Sequence, residues 1–458
     1  MTRKELSIIR EKYFLKQPYQ FVFYDEYNYS ILQNIMYTKK PGRNSFSLSD
    51  AIIMLDTETS KSIPDIVCEN YVVAWTISIR TFHKNIVTLY GNKPSQCMEC
   101  IQLLIDNIPG DKLYIYIFNA SYDWTFLKRF FLNRFGYPIK QLNTKPHYPV
   151  YIEFNNGLVI RDALILAQRK LERWASDMNV EHQKAVGYWD YDKIRNQDYK
   201  FTKEELKYIE NDTLAGVECI DALLQSINKE LYSIPWTATG IPRDEVKKRG
   251  KMHNGNYNFK KQVVSFAMQK RLETIFHGGY THGNRLYYNE VIGGKNSFID
   301  DEISCYDFSS SYPFCLIAEK FPVEYFTPMT DRSIDEIVSD ADNNAYIFNL
   351  IMVNVRLKDE CYPMPYLQFS KCKKTINANV DNGRIISCDY CEIMINELDA
   401  EILYHTYDFE YHICVDVYAS HKDYLPKWFT DYVYEQFELK TMLKGGDKVL
   451  YNVAKGRL

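Results

Sequence analysis

Apolar positions along the chain follow two periods. "IIMLDTETS" (52–60), "YVVAWTISIRTF" (71–82), "NIVTLYG" (85–91) and "KLYIYIFNA" (112–120) are runs dense in β-branched and aromatic residues, and they predict strands. "PSQCMECIQLLIDNI" (94–108) places its apolar residues at helical spacing and predicts an amphipathic helix. "DWTFLKRFFLNRFG" predicts a helix stopped by Gly136, and "VYIEFNNGLVIRDAL" a hairpin turning at Asn155, Asn156 and Gly157. "TKEELKYIENDTLAGVECIDALLQSI" opens on Thr202 and Glu205 at capping-box spacing, with Leu206, Ile209, Leu214 and Val217 as the apolar stripe of a long helix. Strands first, then helix and strand in alternation, is an α/β signature, so residues 49 to about 235 read as one mixed-sheet domain.

From about residue 255 the texture changes. A glycine-dense "FHGGYTHGN" (276–284) precedes an expected strand, "ISCYDFSSSYP" (303–313). About a hundred residues of alternating strands and loops follow, and the last thirty residues return to a helical pattern with clustered basic residues. There is no internal repeat, low-complexity tract or long Pro/Gly linker.

A chain of 458 residues exceeds what one core supports, and two to four domains are expected. The formal net charge of −4 excludes a wholesale basic coat for nucleic acid, though not a local cleft. Charge is uneven, since residues 1–48 hold eight Lys and Arg against four acids. No run approaches the ~18 apolar residues of a membrane span and no signal peptide is visible, so a soluble, intracellular protein is expected, without a membrane partner. Eleven cysteines, an odd number, fit reduced thiols. Cys361, Cys372, Cys388 and Cys391 raise the alternative of a zinc site. The gap between Cys361 and Cys372 is not a ligand-hairpin spacing, however, and "RIISCDYCEIMI" alternates like a strand, which favours core thiols.

"IIMLDTETS" ends an apolar run on two carboxylates, Asp56 and Glu58. Asp123 follows the strand "YIYIFN" in "FNASYDWTF", and Asp212 sits on the capped helix in "YIEND". Four acids converging at one sheet edge would repel one another and shift toward protonation unless cations sit among them. Two divalent metals would remove that penalty and support phosphodiester hydrolysis, and hard oxygen ligands favour magnesium or manganese. Tyr208 lies four residues before Asp212, on the same helix face, where a phenol can position an attacking water.

The segments "DTET", "FNASYD" and "YIEND" resemble the three motifs of tyrosine-type DEDD 3′–5′ proofreading exonucleases, which have an RNase H-like fold. The resemblance implies that Asp56, Glu58, Asp123 and Asp212 are metal ligands and that Tyr208 orients the water. It further implies that Asn119 and Tyr122 hold the single-stranded 3′ end, the tyrosine by stacking and the amide by hydrogen bonding. Lys184, in "HQKAVGYW", matches a lysine placed near the scissile phosphate.

"YDFSSSYPFCL" (306–316) is similar to motif A of family B DNA polymerases, in which Asp307 would bind both catalytic metals and Tyr312 would close off the 2′ position of the incoming sugar. "FHGGYT" resembles the YxGG element that contacts template DNA, with Phe276 in the tyrosine position and Gly278 and Gly279 retained for close backbone approach to a phosphate. Residues from about 325, ending in "NGRIISCDYCEIMINELDAEILYHTYD", resemble the terminal-protein-region insertion of protein-primed family B polymerases, the group of small phage and linear-plasmid replicases. "AKGRL" resembles the start of motif B. Lys455 would then bind the triphosphate with Lys444 nearby, and helical spacing aims Lys448 with Lys455 at the same ligand.

The resemblance therefore implies an α/β multidomain chain in five parts. These are an N-terminal extension (1–48), an RNase H-like exonuclease domain (49–250), the first part of a palm with motif A (251–324), a terminal-protein-region insertion (325–415), and palm with the start of the fingers (416–458). It implies a DNA-directed DNA polymerase with proofreading, two magnesium or manganese ions per active site, and DNA as a single-stranded 3′ end and as primer-template. Deoxynucleoside triphosphates and a terminal protein primer are the other implied partners, and the location would be the host cytoplasm if the chain is phage-encoded. No segment resembles the second palm aspartate motif, so this chain is expected to degrade primers and to extend them poorly. The alternatives are a split-gene or degenerate product acting as a DNA and terminal-protein binding module, and a standalone nuclease.

Overall fold

The computed structural model describes residues 2–60, 70–184, 189–190, 193–196, 198–253, 264–293, 304–361 and 363–458. They form two compact units, residues 1–245 with 436–458, and residues 246–435.

The first unit is built on one sheet. Its strands are β1 (Gln20–Phe23), β4 (Ile52–Ser60), β5 (Tyr71–Thr81), β6 (Lys84–Gly91), β7 (Leu113–Ile117), β8 (Lys140–Asn143), β9 (Pro149–Glu153) and β10 (Leu158–Asp162), while β2 (Tyr37–Lys39) and β3 (Ser47–Ser49) form a separate small ladder. The spatial order is β1-β6-β5-β4-β7-β10-β9-β8. β4 is antiparallel to β5 and parallel to β7, which is parallel to β10, so three parallel strands lie in the middle of the sheet, while β1 runs parallel to β6 at one edge. Helices α1 (Arg3–Lys16), α2 (Pro94–Asn107), α3 (Ala120–Phe135), α4 (Ala163–Ala167), α5 (Leu171–Met178) and α6 (Lys203–Ser226) accompany it.

Both faces of the central strands are covered, which is why they read as unbroken apolar runs rather than alternating ones. Ile53, Leu55, Ile115 and Ile117 pack with Ile101 and Leu104 of α2 and Leu127 of α3. Ile52, Met54, Tyr114 and Tyr116 pack on the other side with Trp174 of α5 and Val217 and Ile220 of α6. On β5 two of the α6-facing positions, Thr76 and Ser78, are polar, while Ala74 packs with Tyr208 and Ile209. There Thr76 Oγ1 donates to the Ile209 carbonyl at 3.0 Å, and Ser78 and Thr213 share a hydrogen bond of 2.7 Å, so buried hydroxyls meet the helix where side chains are too small to leave a gap.

The expected strands and helices of residues 52–227 form where the periodicity places them, including the hairpin at 155–157 and the Thr202/Glu205 capping box. The first 48 residues, distinct in charge, are nevertheless built into this unit. β1 adds to the sheet beside β6, and Phe14 is fully buried in the α2/α3 core. Charge reports on surface, whereas strand pairing and apolar burial decide where the segment lies.

The second unit is a mixed region around a long antiparallel sheet. α7 (Gly240–Met252) leads into it, and α8 (Phe266–Ile275), α9 (Ser311–Ala318), α10 (Ile334–Ser339) and α11 (Glu397–Thr406) lie within it. β13 (Asn344–Leu357), β16 (Arg384–Asn396) and β18 (Tyr411–Tyr424) are the long strands. They lie in the order β11 (Lys320–Pro322), β18, β13, β16, β14 (Cys372–Ile376), and β12 (Thr327–Pro328), β15 (Asn379–Asp381) and β17 (Tyr407–Asp408) pair at the sides. Tyr346, Phe348, Leu350 and Met352 alternate inward along β13, and after Asn354, whose φ of 54° is left-handed, the inward positions become Val355 and Leu357. That reversal puts both Cys388, opposite Val355, and Cys391, opposite Met352, into one core despite their odd spacing.

One expectation fails here. "ISCYDFSSSYP" does not form a strand; residues 304–308 have no regular structure, and Ile303 lies outside the described residues. Tyr306 and Phe308 are almost fully exposed. β-propensity makes a strand only where a neighbouring strand pairs with it, and no described strand does.

The chain then runs through α12 (Lys427–Met442) into α13 (Lys448–Arg457), which returns to the first unit and contacts α5 and α6. No helix among the described residues is long and apolar enough to cross a membrane.

At Gly216 α6 lies close against β4, since a β-carbon there would lie 1.7 Å from Met54 Sδ, itself buried. Gly216→Val is expected to lower unfolding free energy by about 1–3 kcal/mol despite valine's better helix propensity. Urea denaturation of the two proteins reads this directly, and an unchanged midpoint would mean the helix can retreat from the sheet without loss.

Candidate active site

Side chains two apart on a strand share a face, so Asp56 and Glu58 continue the line of Met54 along β4 toward its end. Side chains four apart on a helix share a face too. Tyr208 and Asp212 therefore continue the line of Gly216 along α6, and the contact that joins Gly216 to Met54 also turns Asp212 and Tyr208 toward the two strand carboxylates. Asp123 arrives from the other side of the sheet. Asn119 takes a left-handed turn (φ 64°) after β7 and α3 begins at Ala120, which brings Asp123 into the first turn, where Thr57 Oγ1 donates to it at 2.6 Å.

Asp123, Glu58, Asp212 and Tyr208 are all buried, and Asp56 is partly so. Burial and mutual repulsion hold the carboxyls toward protonation. Burial, then the charges of Asp123, Asp212 and Glu58, pushes Asp56 well above the ordinary range. Burial, then Asp212, pushes Glu58 up to about 8. Asp123 is pushed up to about 7 by burial, against the opposing hydrogen bonds of Thr57. Asp212 is raised by burial and held back by Lys184, whose Nζ donates to Asp212 Oδ2 at 2.9 Å. Asp212 Oδ1 is buried with no hydrogen-bond partner. The four acids are not drawn as tightly as a closed ligand cage. Among the described residues, the set of three whose ligand atoms all lie within 4.8 Å of one another is Glu181, His182 and Glu218, elsewhere on α6 and its approach.

Behind the acids lies a stack. The Tyr208 ring packs on Trp189 (centroids 5.8 Å, 25°), and the Arg195 guanidinium sits 4.1 Å over the indole. Arg195 is fully buried and its Nη2 donates to Glu205 at 2.7 Å. Burial alone would raise Glu205, but the Thr202 amide, Arg195 and Tyr199 outweigh it and hold the carboxyl down at about 2.

At the rim, Tyr122 is about half exposed, its hydroxyl 2.6 Å from Thr59 Oγ1 and its ring edge-on to Phe126. Asn119 Oδ1 accepts from Ser121 Oγ, and its backbone N–H donates to Asp162. Thus all seven residues named from the exonuclease-like motifs lie in the first unit, and the acids come together with Lys184, with Tyr208 one turn before Asp212 on the same helix face; residues 185–188 of "HQKAVGYW" lie outside the described residues.

The polymerase-like positions are different. Asp307 and Tyr312 are exposed, and Asp307 belongs to no three-ligand group among the described residues. Phe276 is exposed at the end of α8, its carbonyl accepting from Lys371 at 2.7 Å. Gly278 and Gly279 have nothing within 4 Å of where a β-carbon would stand, which leaves room for another backbone. Lys444 and Lys455 are exposed, whereas Lys448, expected to point with Lys455, opens α13 and donates to the Ser176 carbonyl and hydroxyl. That hydrogen bonding fastens α13 to α5 instead.

Sequence reasoning missed Asp162, Thr57, Trp189 and Arg195. Asp162 ends the apolar run "LVIRD" just as Asp56 ends its own, caps α4, and is pushed up to about 6 by burial. That repeated run-to-acid pattern was available; the stack of Trp189 and Arg195 on a helix ten or more residues away was not.

No protein-family model matches the sequence, and no curated protein does. Among solved structures, the fold matched is that of a DNA polymerase. That polymerase is the Phi29 enzyme: in an orthorhombic crystal form it aligns with a TM-score of 0.65 at 17% identity, over 89% of this chain and 66% of that chain. Its complex with single-stranded DNA aligns at TM-score 0.65 and 16% identity, and its ternary complex with primer-template DNA and incoming nucleotide at TM-score 0.60 and 16% identity, each with the same coverage. The chain thus spans just under two thirds of the length of the polymerase it resembles, and identity this low establishes likeness of fold.

Two pH dependences follow. With their folded-state pKa values raised, the quartet acids add stability below the ordinary carboxylate range and lose it as pH climbs through their folded values. In the presence of a chelator, melting temperature is expected to fall from about pH 6 to about pH 8, and Asp56→Asn with Glu58→Gln to flatten that fall. A flat wild-type profile would mean the acids are not crowded. Glu205 is the reverse case, its contribution present above about pH 4.5 and lost as pH falls toward about 2. Glu205→Gln is expected to cost about 2–4 kcal/mol at pH 7, and much less at pH 3, in urea denaturation.

Proposed function

We propose that this chain is a 3′–5′ exonuclease of the tyrosine-type DEDD kind, RNase H-like in fold. It is joined to part of a protein-primed family B DNA polymerase acting in viral or plasmid DNA replication. The observation that carries the reading is the convergence of Asp56, Glu58, Asp123 and Asp212 from three elements, with Tyr208 alongside. A protein does not bury four like charges for stability, and such clusters mark functional sites.

Two divalent cations, magnesium or manganese, fit this donor set. All the donors are hard oxygens, Asp212 Oδ1 lacks a partner, and the raised pKa values are the penalty a cation would relieve. When bound, they supply an activated water and neutralise the leaving oxygen. The chain's own residues do the rest. Tyr208, held flat by Trp189, orients the attacking water through its phenol, and Lys184 offers its ammonium to the scissile phosphate. Tyr122 stacks on the terminal base and Asn119 hydrogen-bonds to the strand.

Likeness in fold to Phi29 polymerase, solved with single-stranded DNA and with primer-template and nucleotide, supports DNA and deoxynucleoside triphosphates as partners. In the second half, Asp307 would hold the polymerase metals, Tyr312 the sugar, and Lys444 and Lys455 the triphosphate. Phe276, Gly278 and Gly279 would contact template, and the sheet of β13, β16 and β18 a terminal protein. The exposure of Asp307 favours a second reading of this half, as a DNA and terminal-protein binding module.

A 5′-labelled primer annealed to a longer template, with magnesium and all four deoxynucleotides, tests the reading. Shortening is expected, reduced at least about a hundredfold by Asp56→Ala with Glu58→Ala while DNA binding persists. Undiminished metal-dependent shortening by that variant would overturn the site, and lengthening would assign synthesis to this chain and remove the second reading.

A further inference from the structure

The second unit carries a thiol cluster with no part in the chemistry above. Cys391 on β16 is fully buried, and its Sγ lies 3.5 Å from Sγ of Cys372, at the start of the neighbouring strand β14. Cys388 is within hydrogen-bonding reach of Cys391, and all three are free thiols. Three thiols meet because the side-chain alternation of β13 and β16 reverses at Asn354, as described, and because the β14/β16 ladder slips between Cys372 and Lys374. That irregularity lets a residue paired with Ile393 lean toward Cys391, two positions along.

Access differs between the pair. Cys372 is half-buried at the sheet's edge, where a small solute reaches it, while Cys391 is shut in behind it. Cys372 Sγ accepts from Cys391 and donates to the Gln368 carbonyl at 3.4 Å, so its sulfur already faces the buried thiol. An edge strand at a bulge has the freedom to close the remaining gap to the ~2.05 Å of a disulfide.

We infer that Cys372 and Cys391 form an oxidisable dithiol whose co-reactant is a hydroperoxide. Cys372, its thiol proton lost, attacks the terminal oxygen of the hydroperoxide, and the O–O bond breaks to give a sulfenic acid and an alkoxide (hydroxide, in the case of hydrogen peroxide) that takes up that proton. The Cys391 sulfur then displaces the sulfenic hydroxyl as water, its thiol proton leaving with it, and the disulfide forms; two sulfurs lose one electron each and the peroxide is reduced by two. The link closes the β14–β15 segment onto β16. It also fixes the position of Lys371, the preceding residue, whose Nζ donates to the Phe276 and Thr274 carbonyls and so anchors the start of "FHGGYT".

The test exposes the full chain to hydrogen peroxide without denaturant, blocks the remaining thiols with N-ethylmaleimide, and maps peptides by mass spectrometry. A linked pair containing Cys372 and Cys391 is expected as the major intramolecular product. It should fall at least about tenfold in Cys372→Ser and persist in Cys361→Ser, whose thiol lies in the same unit but outside the pair. Stepwise oxidation of Cys372 to sulfinic acid with Cys391 still alkylatable after unfolding would overturn the inference, as would a link that joins Cys388 to Cys391 instead.

Discussion

The close approach of α6 to β4 organises the first unit. A helix can lie this near a strand only where one partner has no side chain, and Gly216 against Met54 is that place. From it the geometry runs outward in steps of four along the helix and two along the strand, so that Asp212 and Tyr208 face Asp56 and Glu58. Asp123 completes the group through α3, whose start is set by the left-handed Asn119. A local shift of α6 would carry Asp212 and Tyr208 together away from the other three acids.

Such a group is costly to hold. Each carboxyl is pushed toward its protonated form by burial, Asp56 and Glu58 by their acidic neighbours as well, and Lys184 holds Asp212 back. The fold sustains the cost with rigid surroundings. Apolar cores cover both faces of the sheet, and the buried chain Arg195–Trp189–Tyr208 holds the ring beside the acids, with Glu205 neutralising the arginine at the cap of the same helix. One capping residue thus closes the helix start and balances the buried charge that steadies the site.

In the second unit the long antiparallel sheet is well formed, while the segment carrying Asp307 is exposed. The contrast has a simple cause. β13 finds partners on both sides, and its inward residues follow the period of two until Asn354 reverses it; residues 304–308 find none among the described strands. Two segments of similar composition therefore end in different states, by pairing rather than propensity.

Much of the first unit was legible in the chain itself. Continuous apolar runs meant strands covered on both faces, the Thr202/Glu205 pair marked the start of α6, and the spacings of Asp56 with Glu58 and of Tyr208 with Asp212 placed each pair on one face, because local geometry depends only on neighbours in sequence. Tertiary structure alone decided the rest. It put the basic N-terminal segment into the sheet through β1 and Phe14, turned Lys448 to Ser176, stacked Trp189 and Arg195 behind Tyr208, brought Cys372 to Cys391, and left Asp307 without a strand. Each of these rests on which distant segment packs or pairs alongside, and a hydrophobic or hydrogen-bonding preference names a kind of partner without naming which one.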